Sequence, residues 1–77
     1  MIQIKPNSKV IVMPHKDNTN IFATNKTGTV KLIQDSNGID LYYIHIDRDI
    51  SGFSFPIVNI PYGHGYIAIY EELALIE

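Results

Sequence analysis

A chain of 77 residues without a cysteine is one small domain that buries roughly 60% of its unfolded surface. It must hold together with neither a disulfide framework nor a thiolate metal site. With 45% hydrophobic residues and a net charge of -2, it has the composition of a folded domain and lacks the cationic surplus that grips phosphate backbones. No apolar run approaches the roughly 18 residues of a membrane span, and the start, MIQIKPNSK, contains no long apolar segment of the secretory kind, so a cytoplasmic location is expected.

The dominant period along the chain is two. Lys9-Val10-Ile11-Val12-Met13 is a β-branched run closed by Pro14, and the polar stretch HKDNTN after it reads as a long loop. The next strand, Gly28 to Gln34, sets Val30 and Leu32 on one face against Thr29 and Lys31; DSNG then supplies a tight turn whose Asn-Gly pair suits positive φ. Ile39 to Asp47 forms the second arm of this hairpin, with Tyr42, Ile44 and Ile46 toward the core and Leu41, Tyr43, His45 and Asp47 away from it. Tyr66 to Tyr70, with Ile67 and Ile69 inward, and Leu73 to Ile76 complete the set, the latter too short to stand as a helix. The expected interior is Val10, Val12, Val30, Leu32, Tyr42, Ile44, Ile46, Ile67, Ile69 and Leu75.

Five short strands with no helical periodicity point to an all-β domain that is a small closed or nearly closed barrel, because closure removes unpaired edges. The stretches SKVIV, TGTVKLI, SNGIDLYYIHID and the final EEL resemble the SH3-like barrels, in particular the photosystem I PsaE type, and the GTV element resembles the KOW type. The resemblance covers residues 8–49 and the end of the chain. It implies a single five-stranded SH3-like barrel over residues 1–77 with a long loop after strand 1, to which this chain adds an apolar Pro/Gly-containing insertion before strand 4. Its KOW side implies an alternative function, nucleic-acid binding through Lys16, Lys26 and Lys31. Three dispersed lysines on an acidic chain give a weak field, however, and a solvated face is the better expectation. Residues 1–34 carry five lysines and one acid, Asp17, whereas residues 35–77 carry Arg48 and seven acids. Strands interleaved from the two halves would average this asymmetry away.

The stretch ISGFSFPIVNIPYGHG lies outside the resemblance. Pro56 and Pro61 cannot donate to a ladder, so this piece belongs at an edge or in a loop that wraps the barrel. A small barrel has no room for all its apolar side chains. Phe53, Phe55, Ile57, Ile60 and Tyr62, with His64 and Tyr66 at the rim, therefore either fold back as a lid over an open end of the barrel or, as the preferred expectation, form the contact surface for a protein partner or for self-association.

His64 sits between Gly63 and Gly65, which permit positive φ around a turn; a strand follows where a phosphate loop would need a helix. His15, His45 and His64 lie in separate segments without HxH or HxxxH spacing, so no metal is expected, and no other cofactor. No base, nucleophile and oxyanion donor assemble from spacing, which argues against an enzyme. The expected role of His64 is a turn residue stacked on Tyr62 or Tyr66. The reading is a small interaction module, an adaptor, inhibitor or oligomer-forming accessory protein that uses residues 50–66. The abundance of Ile, Asn and Lys suits a bacterial or phage source.

Overall fold

The computed structural model describes residues 3–76. Six strands, β1 (Lys9–Val12), β2 (Thr27–Ser36), β3 (Ile39–Ile46), β4 (Phe53–Phe55), β5 (Ile60–Ala68) and β6 (Leu73–Leu75), form one antiparallel sheet in the order β4-β5-β3-β2-β1-β6. Two expectations are corrected here. Among the described residues there are six strands rather than five, and the sheet they form does not close: β4 and β6 are its two edges. The extra strand comes from the segment read as insertion. Pro56 and Pro61 stand just after β4 and just inside the start of β5, so they bound the edge strand instead of interrupting a central one.

The β2–β3 hairpin forms as its sequence dictates. Ser36 pairs with Ile39 across Asn37 (φ 53°) and Gly38 (φ 85°), the two positive dihedrals of a type I′ turn. Val30 faces Ile44, but the register shifts between Val30 and Leu32, so that Leu32 comes opposite Tyr43. One extra residue in the strand reverses the parity beyond it. Leu32 thus joins the outer face, and Ile33, opposite Tyr42, packs against the core in its place.

β5 runs in the opposite phase to the one expected. Tyr66, across from Ile44, and Ala68, across from Tyr42, are buried, whereas Ile67 pairs with Tyr43 on the outer face. Ile69 is half-buried at the start of a 3-10 turn over Tyr70–Glu72. Alanine opposite Tyr42 leaves space for the larger ring, and the Tyr66 hydroxyl finds an acceptor inside the molecule, so the tyrosine is buried at no polar cost. The core is one face of the sheet, Val10, Val12, Val30, Tyr42, Ile44, Ile46, Tyr66, Ala68 and Leu73, closed by Ile4, Ala23 and Ile50 from the connecting segments. Strands from the two halves of the chain do interleave: β6 pairs with β1, and Lys9 Nζ lies 3.1 Å from the Asp47 carboxylate. Among the described residues, no helix is long and apolar enough to cross a membrane.

Residues 50–55 approach β5 more closely than side chains would allow. A Cβ on Gly52 would lie 2.3 Å from the Gly65 carbonyl oxygen, and a Cβ on Gly65 would lie 2.5 Å from that of Phe53 and 2.8 Å from the Phe55 ring. Gly65→Ala must push β4 outward, and the expected loss is about 1–3 kcal/mol of stability, the usual range for overpacking. Urea unfolding measures it; a midpoint equal to the wild type's would show that the two strands can part at no cost.

Candidate functional site

The segment 50–66 sends its side chains to three places. Ile50, Ile60 and Tyr66 go inside, exposed by 3%, 1% and 1%. Ile60 and Tyr66, expected on the contact surface, are therefore corrected to interior residues. Phe55 lies on the outer face of the sheet, where Gly65 has no side chain to displace it, and meets Tyr43 edge-on with ring centroids 5.0 Å apart. Phe53, Ile57 and Tyr62 face solvent, exposed by 60%, 90% and 80%.

Two of these three border a cleft of about 750 Å3. Its far side comes from the loop after β1, where a 3-10 turn over Ile21–Ala23 buries Ala23 and leaves Ile21 and Phe22 exposed. Asn20 builds that side in two ways. Its Oδ1 accepts from the Phe22 N–H at 2.9 Å and caps the turn, while its Nδ2 donates to the Ile50 carbonyl at 3.0 Å and ties the loop to the opposite wall. Buried Ile50 is the floor, and among the described residues no charged side chain lines the cleft. The opposite wall is fixed by backbone. The Gly63 carbonyl accepts from the N–H groups of Ile50 and Gly52 at 2.8 and 3.0 Å, and Asp49 Oδ1 accepts from the Ser51 N–H at 2.8 Å, which holds Ser51 at φ 57°.

The first loop is held from beneath by a buried carboxylate. Glu72, 2% exposed, accepts from the Tyr66 hydroxyl, from Asn18 Nδ2 and, through Oε1 at 3.0 Å, from the Ile69 N–H. Asn18 in turn accepts from the His15 N–H at 2.9 Å and the Thr24 hydroxyl at 3.1 Å. Burial, reinforced by the hydrogen bond and negative charge of Glu72, pushes the Tyr66 hydroxyl up to about 12, so it stays a donor.

On the outer face, His64 donates from Nδ1 to the Ile46 carbonyl at 2.7 Å, and its ring meets His45 edge-on at 5.4 Å. The expected stacking on Tyr62 or Tyr66 is thus replaced by a cross-strand histidine pair, because Tyr66 points inward. His45 is held below its usual 6.5 by burial first, then by His64 and Lys31. Burial acts to raise Asp47, but its hydrogen bonds from Thr27 and Lys9 outweigh that and leave it lowered. Among the described residues, no three His, Cys, Asp or Glu side chains converge as a metal site would require. Lys16 and Lys31 are exposed, in the first loop and at the β2 bulge, and Lys26 is half-buried just before β2; none of the three borders the cleft.

No family model, curated protein or solved structure matches the chain. Ile21, Phe22 and the Asn18–Glu72 contact escape a sequence reading centred on residues 50–66. An apolar Ile-Phe pair directly after a run of polar loop residues is the one signal that points to them.

Two outcomes follow. Tyr66→Phe removes one donor from a buried carboxylate, and a loss of about 1.5–3 kcal/mol is expected in chemical denaturation; a loss near zero would mean that water reaches Glu72 freely. The unfolded His45 imidazole binds its proton better than the folded one, so this contribution is complete above about pH 6.5 and fades as the pH falls through that value toward the lower folded pKa. His45→Gln should flatten the thermal midpoint between about pH 7.5 and 5.5, and an unaltered slope would place the effect on another group.

Proposed function

We propose that the chain is a small protein-interaction module on an SH3-like plan, and that its contact surface is the uncharged cleft between the first loop and residues 50–54. The long loop after β1 and the return of the last strand to the first support that plan. The observation that carries the functional reading is the clustering of Ile21, Phe22, Phe53 and Tyr62 around one cleft, each more than half exposed. A monomer gains nothing by holding four large apolar side chains in water at one place.

The mechanism is burial of aromatic anchors within a polar ring. Phe53 and Tyr62 supply rigid area at small entropy cost, and the floor beneath them is fixed by backbone hydrogen bonds before any partner arrives. Thr19, Asn20, Ser51 and Ser54 line the cleft with groups able to pair with a partner's backbone or hold water.

Phe53→Ser should leave the fold intact, with stability within about 0.5 kcal/mol of wild type as for other exposed substitutions. It should also weaken retention of the partner from a lysate of the source cells by about 30-fold, the loss typical of an interface anchor. Capture equal to that of the wild-type chain would remove the cleft from consideration.

A further inference from the structure

We infer that the occupant of this cleft is a second copy of the same chain, related by a two-fold axis so that Phe53 and Tyr62 of each protomer cover the Ile50 floor of the other. The inference rests on the interaction reading above and narrows it to one partner.

The area is the first reason. Phe22, Phe53 and Tyr62 are exposed by 63%, 60% and 80%, and Ile21 by 76%. Aromatic side chains bury roughly 150–250 Å2 each, so the exposed parts of these three rings, with Ile21 beside them, present on the order of 500 Å2 of apolar surface. These apolar groups alone supply more than half of the roughly 800 Å2 per partner that a stable protein–protein interface takes, and Thr19, Asn20, Ser51 and Ser54 line the cleft beside them. That is a large share of a molecule whose whole accessible surface is 4999 Å2.

Charge is the second reason. A two-fold axis lays a patch against itself, so a charge in the patch faces its own sign across the contact. Here the penalty is absent. No Asp, Glu, Lys or Arg occurs between Asp49 and Glu71, and the loop contributes only uncharged residues to the cleft. The same feature disfavours a partner recognised through charge, for which the cleft holds no complement.

Shape is the third. An isologous contact requires projection and recess on one face, and this face has both: rings that stand into solvent and a cleft floored by buried Ile50. A cysteine-free chain of 77 residues also gains from association, since a core of this size supplies little stability by itself.

Sedimentation or light scattering of the purified full chain from about 1 μM to 1 mM tests the inference. The expected mass rises with concentration from 8.7 kDa toward twice that value. Phe53→Asp and Tyr62→Asp, on different strands in case one fails to fold, should each raise the dissociation constant at least about 30-fold while circular dichroism stays that of the wild type. A wild type that remains monomeric at about 1 mM overturns the second copy. Capture of a different protein, lost in Phe53→Ser, would then leave the wider interaction reading standing, and no capture would remove both. A dimer that both aspartate variants form as readily as the wild type places the contact elsewhere and overturns the inference.

Discussion

Residues 50–55 can lie against β5 only because Gly52 and Gly65 lack side chains where the two backbones meet. One wall of the cleft is set by that approach. It brings the Ile50 and Gly52 N–H groups to the single Gly63 carbonyl, turns Ile50 into the core, and leaves Phe53 facing solvent at the start of the edge strand. Gly63 itself has φ 95°, and a Cβ there would sit 2.8 Å from an Asp49 carboxylate oxygen. The sequence GHG, which resembles a site when read alone, is therefore a solution to backbone crowding, and His64 fastens it by donating to Ile46 across the sheet.

The other wall depends on a different economy. Glu72 is buried among hydrogen-bond donors with no ion-pair partner among the described residues, and its contacts come from β5, from the first loop and from its own 3-10 turn. A buried carboxylate is tolerable only when its lone pairs are occupied, so these contacts must form together or fail together. Their effect is to seat a long polar loop that has little apolar surface of its own to bury. Both walls of the cleft are thereby ordered without a ligand, which lowers the entropy that association must overcome.

The parts of this structure that were legible beforehand are those governed by local rules. Asn37-Gly38 defines its turn, and the alternation from Tyr42 to Ile46 defines its inner face. The errors arise where a distant partner decides. Hydropathy ranks Ile67 and Ile69 above Tyr66 as interior residues, but the acceptor that makes Tyr66 an interior residue lies in the following turn. Nothing around Lys31 announces the bulge that carries Leu32 outward, and the prolines that mark the limits of β4 conceal it as a strand. At the candidate site, the exposure of Phe53, Ile57 and Tyr62 could be anticipated from an excess of apolar residues. The burial of Ile60 and the contribution of Ile21 and Phe22 could not, because each depends on which segments the fold brings together.

Among the described residues the open sheet has β4 at one edge and β6 at the other, and pairing of β4 of one molecule with β6 of the next would extend it. Such head-to-tail addition has no natural end and would build a filament. Both border strands are only three residues long, and a 3-10 turn follows β4 directly while another leads straight into β6. So short a ladder offers few hydrogen bonds before the chain turns away, and brevity at the two borders thus guards an unclosed sheet against polymerisation.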